Sequence, residues 1–375
     1  MALAHGVNDA YAAFLSPLLP RIMDRMGLSI ALAATLAMTL SLAASLLQPL
    51  MGYLSDRFGR RVFVVLGPLL SAVFLSLVGV PSTFWVLVVF LLLGGLGSAL
   101  FHPPGASMAA RIGEGKGSGL RMSIFSLGGS LGWAVGPLVA VGLVGWFGLE
   151  RLWLAMFPGV LLAALLWKAL PPDRPPSDAR LPPSPGTLLR RLPPTLWFLF
   201  GISVVGAFAQ RVFLTIQPIV VAEAGGLEGL GALSLSVYLG AQAVGTLAGG
   251  YLSDRIDRGR LLATLTFAAF PAHFLAVSLV PGSVEALLMA AAAGFLGMAM
   301  MPAIVVKAQE LLPDEAAAIS GIVMGLAWAV GSLGVLGTGA VGDWLGPREA
   351  AMVSMPLLLL GTLLALHPRL RDGDR

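Results

Sequence analysis

The chain has 375 residues, of which 57% are hydrophobic and 11% charged; it has no cysteine, and its formal net charge is +4. A soluble domain carries roughly 25% charged residues, so this chain has too little polar side chain to cover a water-facing surface, and its solvent must be mostly lipid. Disulfides and thiolate metal sites are excluded, no histidine pair has a metal-ligand spacing such as HExxH, and the basic residues are too scattered for a nucleic-acid patch.

A helix needs about 20 largely apolar residues to cross roughly 30 Å of hydrocarbon. Apolar runs between charged or Pro/Gly punctuation predict twelve spans, at 3–22, 30–54, 62–80, 84–110, 119–147, 151–170, 195–221, 230–252, 261–280, 284–309, 316–341 and 348–366. Runs this long and evenly apolar suit helices and not the alternating strands of a barrel. The first run lacks a basic leader and a small-residue cleavage site, so it reads as a span and not as a signal peptide. The segment 171–193, PPDRPPSDARLPPSPGTLLRRLP, is rich in proline and cannot be a continuous helix. It reads as a polar linker between a six-span half at 1–170 and another at 194–375.

Eighteen Lys and Arg residues fall in one set of loops and four in the other, and Arg211 alone lies inside a span. By the positive-inside rule the rich set, the linker and both termini are expected to be cytoplasmic, in a multi-pass protein of the inner (plasma) membrane. Lys307 is expected to snorkel to that surface.

The halves repeat. GYLSDR occurs at 52–57 and again at 250–255, Pro104 matches Pro302 at the same offset, and WAVG at 133–136 recurs at 328–331. Three matches in order, in corresponding helices, point to duplication. Parallel six-helix repeats make two bundles with a substrate site between them and alternating access by rocking.

In GYLSDRFGRR at 52–61, Gly52 lets helices approach and Gly59 permits a tight turn. Asp56 can accept hydrogen bonds from a helix N-terminus or from Arg111, while Arg57 and Arg60 hold the loop at the cytoplasmic side. The pattern returns as GYLSDRIDRGR, with Asp254 and Arg255 in the places of Asp56 and Arg57. Gly128, Gly132 and Gly136 lie four apart on one helix face and Pro137 follows, a spacing for close packing with a bend.

GYLSDRFGRR resembles the signature loop of the major facilitator superfamily, which implies a cytoplasmic latch stabilising an outward-facing state. The second copy has Asp257 where the first has Gly59, and is expected to latch more weakly. GGSLGWAVGP at 128–137 resembles the fifth-helix motif of proton-coupled drug exporters of that superfamily. HGVND at 5–9, GGLGSALFHPPGASMAAR at 94–111 and SIFSLGGSLGWAVGPL at 123–138 are similar to the fosmidomycin-resistance group of exporters. The resemblance implies an all-α integral membrane protein with twelve transmembrane helices in two six-helix bundles. One departure is Leu91, where many proton-coupled members carry an arginine early in the fourth helix; if protons are coupled here, other residues must carry them.

Ionisable residues within spans are costly and usually functional. Asp9 is the one carboxylate placed well inside a span, and His5 shares its helix face. With His102 they are the expected proton-coupling groups. Asn8, Gln48, Gln210, Arg211, Gln217 and Gln242 are expected to line a substrate cavity, with Arg211 favouring an anionic group through its planar fork. His273 reads as structural and His367 as interfacial.

The reading is thus a monomeric secondary transporter, whose partners are a small-molecule substrate, protons and the lipid bilayer. A proton-driven exporter comes first, and an uptake carrier for a small organic anion is its alternative. A membrane enzyme or sensor lacks support: there are no paired intramembrane carboxylates, no zinc motif and no nucleotide-binding loop, and no cofactor or metal is expected.

Overall fold

The computed structural model describes residues 1–111, 118–171, 192–313 and 319–370, with the side chains of 110, 111 and 118–120 left aside. Most of the expected linker lies outside these residues. Among the described residues there are helices and no strands.

The elements are α1 (Ala2–Ala12), α2 (Leu15–Met26), α3 (Ile30–Leu46), α4 (Gln48–Phe58), α5 (Arg60–Ser76), α6 (Phe84–Arg111), α7 (Ser118–Phe147) and α8 (Met156–Ala169). After the linker come α9 (Pro194–Glu223), α10 (Glu228–Ser253), α11 (Arg258–Ser278), α12 (Val284–Leu311), α13 (Ala327–Leu345), α14 (Pro347–Ser354) and α15 (Leu358–Ala365). A π-helical stretch, Gly321–Leu326, leads into α13.

Among the described residues, ten helical stretches are long and apolar enough to cross a membrane, and eleven if the bent pair α3–α4 is one span. The first expected span is divided between α1 and α2, with Ala13 and Phe14 at the break. Proline explains both interruptions. Pro17 and Pro49 have no N–H to bond back one turn, to Ala13 and Ser45, so the ladder is released where these helices part.

The chain divides into two compact units. The first holds Met1–Leu28 and Thr39–Pro182; the second holds Pro183–Arg375 together with Ser29–Met38. The expected halves are thus exchanged by one short segment. Within the second unit, Asp343 Oδ1 accepts from Ile30 N at 2.6 Å and so caps the start of α3.

In the first unit, α1 lies directly on α7. A Cβ on Gly128, Gly132 or Gly136 would meet the backbone oxygens of Ala2, Gly6 and Ala10 in turn, so only glycine permits this approach. Ala4, Val64, Phe101, Phe125 and Leu162 form the adjoining core. In the second unit Leu199, Ile202, Leu262, Met300 and Val323 do the same. Outward faces carry Trp146, Trp344 and Leu247 at 83%, 90% and 73% exposure, a surface that suits lipid. Lys307 is a correction: it is 7% exposed, drawn into the packing of α12, and does not snorkel outward.

Candidate functional site

The first unit gathers the three expected proton-coupling residues. His5 and Asp9 stand one turn apart on α1, and His102 approaches from α6. His5 Nε2 is 3.2 Å from Asp9 Oδ2, and His102 Nε2 is 3.3 Å from Asp9 Oδ1. Asp9 is 3% exposed, so its charge depends on these close partners.

Each ring is aimed from behind by backbone. His5 Nδ1 lies 2.8 Å from Phe125 O, and His102 Nδ1 lies 2.8 Å from Ser98 O. A carbonyl only accepts, so both Nδ1 atoms carry the hydrogen. The His5 ring also stacks on Phe125 at 4.2 Å. It fills the space a Cβ at Gly129 would take, 2.5 Å from its Nε2. Asn8 was expected to line a cavity. It is instead fully enclosed: its Nδ2 donates to Asp9 Oδ1 at 3.0 Å and its Oδ1 accepts from Ser71 at 2.9 Å, so it orients the acid. The ligand atoms of His5, Asp9 and His102 all lie within 4.8 Å of one another.

At the loop after α4, Gly59 adopts φ 96°, the turn its sequence position suggested. Gly52 brings α4 against Pro103 of α6, where an added Cβ would come within 3.3 Å. Asp56 Oδ1 accepts from both Nε and Nη2 of Arg60, at 2.9 and 2.5 Å. The Arg111 side chain lies outside the described residues. Arg57 donates to Tyr53 Oη at 3.3 Å, and Arg61 donates to Trp167 O with its guanidinium 4.3 Å from the indole centroid. In the second loop Arg255 sits 3.6 Å from the Tyr251 ring and follows Asp254 at the end of α10. Asp257 caps α11 by accepting from Arg260 N at 2.8 Å, and Arg258 pairs with Glu310 at 2.8 Å. The residue that departs from the glycine pattern therefore supplies a helix cap.

The second unit holds a different constellation around Arg211 on α9. The guanidinium lies 5.9 Å from the centroid of Trp328, on α13, and interacts with Tyr238 on α10. Tyr238 in turn contacts Gln242, and its Oη is 3.1 Å from His273 Nε2. Arg211 Nε, Gln242 Nε2 and Trp328 Nε1 are buried donors with no hydrogen-bond partner among the described residues. Gln217 Oε1 is likewise unpartnered, while Gln210 is buried beside Arg211. No acid among the described residues pairs with Arg211. Gln48 is half-buried and bonds back to Ala44 O at 2.9 Å.

The sequence profile of the Major Facilitator Superfamily matches residues 1–333. The chain belongs to the major facilitator superfamily. As a member of that superfamily it is a multi-pass membrane transporter and not an enzyme. It is 27% identical to the fosmidomycin resistance protein of Escherichia coli (strain K12), over 100% of this chain and 93% of that one. It is also 27% identical to an uncharacterised MFS-type transporter of Bacillus subtilis (strain 168), over 99% and 93% of the two chains. Among solved structures, a bacterial homologue of the human lysosomal transporter Spinster superposes with a TM-score of 0.82 at 18% identity, covering 97% of this chain and 94% of that one. A D-xylose–proton symporter superposes with a TM-score of 0.70 at 17% identity, covering 98% and 96%. At such identities these likenesses speak for the fold.

Sequence reasoning missed Trp328 and Tyr238 as companions of this facilitator's Arg211. For Trp328 a signal existed, because the WAVG repeat placed it opposite Trp133 in the duplicated fifth helix. Tyr238 sits in an unremarkable apolar run, and nothing in the sequence brings it to Arg211.

Proposed function

We propose that this facilitator is a proton-coupled antiporter that exports small organic molecules, with preference for those bearing an anionic group. The observation that carries the reading is the buried Asp9 held between two histidine rings. Such a carboxylate is expensive in hydrocarbon, and its neighbours are arranged to accept and return protons. Leu91 stands where other members carry an arginine, which leaves Asp9, assisted by His5 and His102, as the coupling group. The constellation around Arg211 supports the anionic preference, because its unpartnered atoms at Arg211, Gln242 and Trp328 only donate. Gln210 and Gln217 extend this polar surface along α9, and Gln48 on α4 is proposed as a substrate-cavity residue of the first unit. The name of the Escherichia coli relative, a fosmidomycin resistance protein, supports a drug-like substrate.

Asp56 with Arg57, Gly59 and Arg60, and Asp254 with Arg255, are proposed as the two cytoplasmic latches. The basic-residue bias supports an inner-membrane protein with both termini and the linker cytoplasmic, and membership of the superfamily supports a monomer. Run in the opposite sense, the same parts would make a proton-coupled uptake carrier for an organic anion.

Everted membrane vesicles bearing the protein test the reading, with fosmidomycin as the probe. Accumulation should follow an imposed pH gradient. Asp9→Asn should abolish that accumulation and leave downhill exchange. Unchanged pH-driven accumulation in Asp9→Asn would move the coupling elsewhere, and accumulation driven only by the opposite gradient would favour uptake.

A further inference from the structure

We infer that His5, Asp9 and His102 form a binding site for one divalent transition-metal ion of the Zn²⁺ or Co²⁺ type. The argument begins with the rings. With both Nδ1–H groups committed to backbone oxygens, both Nε2 atoms are turned toward the same carboxylate. Two imidazole nitrogens and one carboxylate thus converge on one place, where protons or a metal ion can bridge them.

The distances favour a metal ion. The two N···O separations of 3.2 and 3.3 Å run to Asp9 Oδ2 and Oδ1, one to each carboxylate oxygen. Zinc bonds to nitrogen and oxygen of about 2.0–2.2 Å put neighbouring ligands of a tetrahedron about 3.3–3.5 Å apart. The ligand atoms of all three residues lie within 4.8 Å of one another.

The surrounding shell is also that of a metal site. Metal-binding histidines usually donate their other N–H to a backbone oxygen or carboxylate, as both rings do here, and a ligating carboxylate is itself hydrogen-bonded, as Asp9 is by Asn8. His5 is fixed by the Phe125 stack and the Gly129 slot. The His102 side chain is 27% exposed against 4% for Asp9, so an ion reaches the carboxylate past His102. Two imidazoles and one carboxylate suit a borderline metal; magnesium and calcium ask for more oxygen ligands. Metal and proton would compete for the same atoms, yet metal binding does not depend on the transport reading.

The test uses the full chain, purified in detergent with a histidine-free tag. Co²⁺ is titrated and read by its visible ligand-field absorption, and Zn²⁺ is then titrated against it by calorimetry. One ion per chain is expected, with the intense absorption of a tetrahedral site. His102→Gln and His5→Gln should each weaken binding by at least about tenfold, while His273→Gln and His367→Gln bind as the wild type does. Zn²⁺ should raise the Tm of the wild type and not that of His102→Gln, which separates ligand loss from misfolding. Absence of saturable binding, or equal binding by wild type and His102→Gln, overturns the site. Either result leaves the Asp9→Asn transport experiment standing on its own.

Discussion

His102 Nε2 meets Asp9 Oδ1 at 3.3 Å, bringing a partly exposed ring on one helix to a buried acid on another. His5 meets the same carboxylate from the other side, but its ring is stacked, slotted and nearly enclosed. The two histidines therefore have different parts. His102→Gln should cut pH-driven flux and leave thermal stability near that of the wild type. His5→Gln should cut flux and also lower stability, by roughly 1–3 kcal/mol, the usual scale for breaking a buried hydrogen-bond network. Flux in vesicles and thermal unfolding in detergent check the pair; equal stability loss in both variants would refute the asymmetry.

The His5–Asp9 pair was legible because a helical spacing of four puts both on one face. His102 was legible as a costly residue in a span that could assist Asp9, but their direct contact was not, since it depends on how α6 packs against α1. The backbone oxygens of Phe125 and Ser98, which aim the two rings, leave no mark in the sequence. The same limit explains the interrupted spans: Pro17 and Pro49 were visible, yet whether a proline kinks a helix or ends it depends on what packs around the released carbonyl.

The glycine face of α7 predicts a graded response. At Gly132 a side chain would strike the Gly6 carbonyl, which is backbone and cannot step aside. Gly132→Val should destabilise the protein by about 1–3 kcal/mol, the usual cost of overpacking. Gly145, further along the same helix, has nothing within 4 Å of an added Cβ. Gly145→Ala should be neutral or slightly stabilising, because glycine is the poorer helix former. Thermal unfolding of the two variants gives the comparison, and a stable Gly132→Val would show that α1 and α7 are held less closely.

Asp56 holds Arg60 with two bonds from one carboxylate oxygen, and Arg60 is 6% exposed. Asp56→Asn keeps the shape and removes the charge, so the buried guanidinium loses its acid. Transport should fall about tenfold, the order of a coupling free energy between conformational states. Membrane insertion should survive, because Asp56 is only half-buried at the end of α4 and the substitution keeps its size. Size-exclusion profiles alongside flux measurements separate these effects; wild-type flux in a well-folded Asp56→Asn protein would remove this residue from the latch.

The last prediction concerns the donors around Arg211. Arginine, glutamine amide and indole each offer hydrogens there, and none of the three unpartnered atoms can accept one. A ligand with several acceptor oxygens, such as a carboxylate or phosphonate, would satisfy them together. Arg211→Lys keeps the charge but loses the planar fork, and Arg211→Gln loses both. Anion affinity should therefore fall in the order wild type, Lys, Gln. Trp328→Phe is the sharper probe, since it keeps an aromatic ring beside the guanidinium and deletes only the indole N–H. Loss of one hydrogen bond to a charged group is worth about 1.5–3 kcal/mol, so affinity for an anionic ligand should drop by roughly tenfold or more. A matched neutral ligand should lose little. Binding assays with paired anionic and neutral compounds decide the matter. If all four proteins bind the anion equally, Arg211 serves the fold, and the substrate's charge is read by other residues.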